Sequence, residues 1–278
     1  MLHAKKMRPE DFPFAVQLAN TMDWSMAEAD FAFMAALEPD GCFVLFEDTE
    51  KVGIATCISY GKTGWFGNLV VKEEQRRKGA GTFLVEHAVE YLRKRGVESV
   101  GLYAYPHLVG FYENVGFKPH DDLVVYSGTV VHDKTDGLLE VAANDIPALV
   151  EFAFQCLGNQ RQKLLKTLFN DENNADYLAL YDGEIMGFVV VKIYGGTAEI
   201  GPLLCRRCYG DIEVALLKSA LSRIGGEAAF AYVPLDEKAL LETLEAGGLK
   251  EKFRLRRMYL GKAFSENCVY MPESLERG

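Results

Sequence analysis

Arg76-Arg77-Lys78-Gly79-Ala80-Gly81-Thr82 sets three cations and two glycines at the head of an amphipathic stretch that carries Leu84, Ala88 and Leu92 on one stripe. The first turn of a helix has N–H groups without partners and the positive end of the macrodipole, so it can hold an anion. Glycines take away the Cβ atoms that would keep a phosphate from those N–H groups, and they accept whatever dihedrals the wrap requires. The segment reads as a diphosphate cradle. Two other phosphate loops do not fit. A Walker A loop needs four residues between its glycines followed by Lys-Ser/Thr, and a dinucleotide turn needs a third glycine where this chain has Leu84.

Further along, Phe111-Tyr112-Glu113-Asn114-Val115-Gly116-Phe117 closes another helix. In this order, with a helix and a strand between them, Arg76-x-x-Gly79-x-Gly81 and the aromatic-Tyr-x-x-x-Gly-Phe ending resemble the two signatures of the GNAT superfamily of acyl-coenzyme A N-acyltransferases. The resemblance implies acetyl-coenzyme A as cosubstrate, with its diphosphate against Arg76, Arg77, Lys78, Gly79, Ala80, Gly81 and Thr82. It implies a pantetheine arm in the gap between two splayed strands, bound as an added strand would be by the backbone of Leu69, Val70 and Val71. Amides of Val70 or Val71 would face the charge developing on the acyl oxygen. Tyr112 is implied as the general acid. Trp24, between the first two helices, would lie near the acceptor or else serve as core. Tyr105 stands where many relatives have an asparagine that touches the cofactor.

The implied reaction is transfer of an acetyl group to a primary amine of a small molecule or peptide. The alternative is a non-catalytic acyl-coenzyme A binding module. An amine with a pKa near 10.4 is only about one part in 10³ neutral at pH 7, so a base or a water relay must take its proton. Many relatives place a glutamate on the strand before the cradle, whereas this chain has Asn68, an amide that accepts no proton there. His107, Tyr60, Tyr103, Glu38 and Asp40 remain as weak candidates.

The elements that must position these residues follow from composition and pattern. With 278 residues, 49% hydrophobic and 25% charged, the chain has material for two domains of about 100–150 residues each. No apolar run reaches the ~18 residues of a membrane span, and no signal peptide is visible, so a cytoplasmic protein is expected. A net charge of −10 argues against nucleic acid as the main ligand. Cys205-x-x-Cys208 lacks the second pair that a zinc site needs, and no metal is expected.

Strands are expected over residues 3–7, 42–47, 52–60, 65–71 and 99–104, with one or two more within 121–131. Helices are expected around Phe14 to Met22, Phe31 to Leu37, Gly79 to Arg95 and His107 to Asn114. Residues 132–137 read as a linker, after which the same order of elements recurs to Gly247-Gly248-Leu249. The expectation is an α/β (α+β) fold of two GNAT-like domains, 1–134 and 135–278, each a mixed, largely antiparallel sheet flanked by helices. The second copy has lost its chemistry: Asp211 and Glu213 occupy the helix start after Arg207-x-x-Gly210, and Leu244 stands in the tyrosine's place. Carboxylates there stabilise the helix and repel a diphosphate. Packing, homodimerisation or cover for the acceptor site are its expected roles.

Overall fold

The computed structural model describes residues 1–131, 138–194, 196–207, 211–264 and 267–278. The expected linker, Cys208 and Gly210 lie outside the described residues. The first half runs β1 (Leu2–Lys6), α1 (Phe12–Asn20), α2 (Glu28–Leu37), β2 (Cys42–Glu47), β3 (Glu50–Tyr60), β4 (Thr63–Val71), α3 (Ala80–Lys94), β5 (Ser99–Ala104), α4 (Val109–Asn114) and β6 (Lys118–Thr129). The second half repeats this plan with β7 (Leu139–Glu140), α5 (Ile146–Leu157), α6 (Gln162–Phe169), β8 (Ala175–Tyr181), β9 (Glu184–Tyr194), β10 (Thr197–Arg206), α7 (Ile212–Ile224), β11 (Ala228–Pro234), α8 (Lys238–Ala246), β12 (Lys250–Leu260) and β13 (Cys268–Met271). It is a mixed, mostly antiparallel α/β structure.

The halves share one sheet because they exchange a strand. The order is β1-β2-β3-β4-β5-β12-β6-β11-β10-β9-β8-β7, with β13 against β10. The long strand of the second half, β12, thus pairs antiparallel with β5 of the first, Met258 opposite Leu102, and β6 pairs antiparallel with β11, Val125 opposite Tyr232. One strand, β6, takes the place of the one or two expected over 121–131, and it starts at Lys118.

Alternation along the strands splits the core between two faces. Residues Phe66, Val71, Leu84, Ala88 and Leu92 pack under α3, and Val189, Leu216, Leu217 and Leu244 pack under α7 and α8. The opposite face, built on Trp65, Tyr60 and Phe188, carries α1 and α2 from the first half together with α5 and α6 from the second, through Phe31, Met34, Leu149 and Leu165. A small cluster of Leu123, Val125 and Leu255 on that face receives Leu275, from the segment after β13, beside Tyr103 and Tyr105. At about 25 cal/mol per Å², each large side chain buried there contributes about 2 kcal/mol, so the shared layer ties the halves firmly.

Candidate active site

The cradle is preformed in the backbone. Arg77 and Gly79 both adopt left-handed dihedrals, φ +61° and +88°, on either side of Lys78. A Cβ on Gly79 would meet nothing within 4 Å, so its glycine answers the dihedral rather than crowding. A Cβ on Gly81 would come 3.3 Å from the Phe111 ring. The first intrahelical bond of α3 runs from Phe83 N–H to Gly79 carbonyl at 2.9 Å, which leaves the N–H groups of Ala80, Gly81 and Thr82 as the unpartnered first turn. Arg77 and Lys78 are exposed beside them. Arg76 is placed differently: its Nε donates to the Val71 carbonyl at 3.0 Å, so it locks the strand end to the loop.

Beside the cradle, β4 separates from its neighbour. It pairs in parallel with β5 only from Thr63–Ser99 to Trp65–Gly101, and from Phe66 onward no strand lies on that edge among the described residues. Asn68 and Leu69 together oppose Ala55 of β3, a two-against-one bulge in which Asn68 takes φ +50°. Its amide donates to Thr56 Oγ1 at 3.2 Å, so the side chain is spent on β3. From the bulge toward the α3 start, Leu69, Val70 and Val71 thus run without a partner strand on that edge, where Arg76 Nε takes the Val71 carbonyl. An extended chain fits that edge, and a diphosphate fits the amides beyond it.

Tyr112 lies on the α3 side of the sheet, buried, with its ring edge-on to Phe111 at 4.9 Å and to Phe117 at 5.9 Å. Gly116 takes φ +93° after α4 and lets Phe117 turn back into the core, which is the mechanical reason for that sequence ending. Burial pushes the Tyr112 hydroxyl well above the usual phenol value and holds it protonated. On the other face, Trp24 is half-buried and its Nε1 donates to Tyr105 Oη at 3.2 Å. Tyr105 also packs 5.8 Å from His107 and 5.6 Å from Phe253, so the gap has an aromatic wall.

The base candidates of the sequence are scattered. Glu38 is buried and accepts from Tyr91 Oη at 2.6 Å and Ser59 N–H at 3.0 Å, which fixes the end of α2. Asp40 is exposed and paired with Lys6. Tyr60 donates to the Arg277 carbonyl at 2.8 Å, and burial pushes its hydroxyl far up. His107 is exposed on its stack with Tyr105. Missed by the sequence reading is the segment Pro272–Gly278. Trp65 Nε1 donates to the Leu275 carbonyl at 3.1 Å, and a Cβ on Gly67 would strike Glu276 Cα at 2.6 Å. The one available signal is indirect: Gly67, in a strand, has no turn to explain it and marks a close backbone approach.

The comparisons agree with this geometry. The family model described as Acetyltransferase (GNAT) family matches residues 7–117, and Acetyltransferase (GNAT) domain matches residues 149–270. The chain is a tandem GNAT acyltransferase. A holothin acyltransferase from Pseudoalteromonas sp. (strain SANK 73390) is 24% identical over 262 residues, 91% of this chain and 86% of that protein. A Pyrococcus horikoshii protein assigned to the acetyltransferases superposes with a TM-score of 0.81 at 22% identity, covering 100% of this chain and 96% of its own. A tandem GNAT protein from the clavulanic acid biosynthesis pathway gives 0.64 at 14% identity, covering 95% and 100%. These two likenesses are likenesses of fold.

Within the second GNAT unit the corresponding cleft is closed. Pairing of β10 with β11 ends at Ile200–Ala231, and Gly201-Pro202 oppose Val190 as a bulge. Past it, β13 pairs antiparallel with β10 from Leu203–Met271 to Arg206–Cys268 and fills the gap. Arg207 is bound to Glu237 at 2.6 Å, Asp211 and Glu213 stand at the head of α7, and Leu244 is buried in the tyrosine's place.

Proposed function

We propose that the first unit moves an acetyl group from acetyl-coenzyme A to a primary amine, with Tyr112 giving its proton to the departing thiolate. The observation that carries this reading is the unpaired, bulged edge of β4, which runs into the bare first turn of α3. The amides of Ala80, Gly81 and Thr82, with Arg77 and Lys78, would hold the diphosphate. Leu69, Val70 and Val71 would align the pantetheine arm, and an amide at the bulge would face the acyl oxygen as charge develops there. The burial that keeps Tyr112 protonated also lowers its drive to give the proton up, so it acts only once a thiolate forms beside it.

The acceptor approaches over the face that bears Trp24, Tyr105 and Phe253, a surface suited to a flat or aromatic small amine. The relative that bears the name of a holothin acyltransferase makes holothin the first amine to assay. The deciding experiment combines calorimetry with release of free thiol. One acetyl-coenzyme A should bind per chain, and Tyr112→Phe should slow turnover at least about tenfold with coenzyme affinity nearly unchanged. An unaltered rate would remove Tyr112 from the mechanism, and a diphosphate seated away from residues 76–82 would overturn the whole reading.

A further inference from the structure

We propose that Glu276, delivered by the segment after β13 of the second unit, is the general base for the acceptor amine of the first. The inference rests on the acyltransferase reading above. The bulge of β4 offers only the amide of Asn68, already bonded to Thr56, and the first unit's buried Glu38 is consumed by Tyr91 and Ser59. A carboxylate nevertheless reaches this place from far along the chain. A Cβ added to Gly67 would lie 2.6 Å from Glu276 Cα, 2.7 Å from its Cβ and 2.8 Å from its carbonyl oxygen, so Glu276 is seated directly on the strand next to the bulge.

The segment is held as firmly as a core element. Trp65 Nε1 binds the Leu275 carbonyl at 3.1 Å and Tyr60 binds the Arg277 carbonyl at 2.8 Å. The Gly278 carbonyl accepts from Tyr270 at 2.6 Å and from Arg161. Arg277 pairs with Glu273 at 2.6 Å and lies over the Phe33 ring of α2, 4.9 Å from its centroid. Within this clamp the two glutamates differ. Glu273 is fully buried and bound by both Lys192 and Arg277, whereas Glu276 keeps 19% of its side chain exposed and meets Arg277 through one oxygen at 2.7 Å.

The charged groups around Glu276 decide its readiness to take a proton. Burial raises its carboxyl and outweighs the lowering by Arg277 and Lys192, while Glu199 of β10 and Glu273 raise it further. The facing residues of β4, Trp65 and Gly67, bear no charge, and Asn68 is neutral. A carboxyl raised above its ordinary value is better matched to an ammonium than an ordinary one. The step balances. One ammonium proton passes to Glu276, the freed lone pair forms the C–N bond, the C–S bond breaks, the sulfur takes its proton from Tyr112, and the second proton on the new amide nitrogen leaves to solvent. Solvent then removes the proton from Glu276 and restores Tyr112.

The test uses the full chain with acetyl-coenzyme A and four amines, holothin, benzylamine, tryptamine and spermidine, reading free thiol from pH 6 to 10. Glu276→Gln should keep coenzyme affinity by calorimetry and lose about 10²–10³-fold in rate at pH 7. That deficit should shrink as pH nears the amine's own pKa, where free amine no longer needs a base. Glu276→Asp, which keeps the carboxylate, should fall between and retain the acid limb; it decides the matter if the Gln variant fails to fold. An unchanged rate, or a deficit constant across pH, overturns the proposal and leaves the acyltransferase reading standing. A wild-type chain that releases no thiol with any of these amines overturns both.

Discussion

The two GNAT units share a strand order and a two-against-one bulge in the strand that borders the central cleft, yet one cleft is open and the other is filled. On β4 the bulge is Asn68-Leu69 and the edge beyond it is unpaired; on β10 it is Gly201-Pro202 and the edge is taken by β13. Pro202 has no N–H to offer at that place, while Leu69 does. The helix starts differ in the same sense: Arg77 and Lys78 stand exposed before α3, whereas Asp211 precedes α7 and Glu213 lies in its first turn. An acyl-coenzyme A site is therefore less a property of the fold than of what the chain leaves unpaired within it. In the second unit the strand that closes the cleft continues into the segment that packs against Trp65, Tyr103 and Tyr105 of the first unit, so what was lost in one place reappears as a wall of the other.

The harshest way to break this relation is Glu273→Ala. It leaves Lys192, buried between Glu199 and Glu273, and Arg277 short of a partner, and removing one member of a buried ion pair costs about 3–5 kcal/mol. A melting point lower by on the order of 10 °C is expected, with acyl transfer lost through release of the segment. The same group sets an acid limit. Burial alone would raise the Glu273 carboxyl, but Arg277 and Lys192 outweigh it and hold it well below the usual carboxylate range. Its stabilising effect is thus complete above the unfolded value of about 4.3 and drains away as pH falls through that value toward the folded one. Wild type should lose melting temperature below about pH 4 more steeply than Glu273→Ala; parallel curves would show that the buried pair contributes nothing to the link.

Gly67→Ala comes next. Its Cβ would collide with the Glu276 backbone, which cannot rotate away as a side-chain tip can. Overpacking of this kind costs about 1–3 kcal/mol. Acyl transfer should fall with it while coenzyme affinity, set at the α3 start, holds. Ala tolerated at full activity would mean that the segment leaves Gly67 in the working state.

Why Gly67 needed the structure to explain it shows what the sequence can carry. Helix α3 and strands β2 and β5 were legible within a residue because their periodicity and stops are local. The helix start at Gly79 was legible too, since a glycine with a left-handed dihedral acts through adjacent backbone. Strand β12, rich in charge along Lys250–Arg254, and the four-residue β13 carry weak local patterns, and neither was expected. The strand exchange is a choice of partner, not of conformation, and periodicity is silent on it. Glu276 stands 209 residues from Gly67 along the chain, 276 against 67, so no spacing rule could have joined them. Arg76 carries a second role that its place in the motif does not announce: its Nε donates to the Val71 carbonyl.

The smallest expected effect gives the finest test of the contrast between the helix starts. Arg77→Ala or Lys78→Ala removes one exposed cation from the α3 cradle, and acetyl-coenzyme A affinity should drop about fivefold at low salt, as a screened phosphate contact predicts. The drop should narrow at high ionic strength, since both side chains are open to solvent. Arg207→Ala in the second unit removes a cation from the matching place but one already spent on Glu237. Calorimetry should find its coenzyme affinity equal to wild type at every salt concentration, with stability lower by less than about 1 kcal/mol. If Arg207→Ala weakened coenzyme binding as much as Lys78→Ala does, the second helix start would be sensing the diphosphate after all, and the division between an open and a filled cleft would no longer account for where the donor goes.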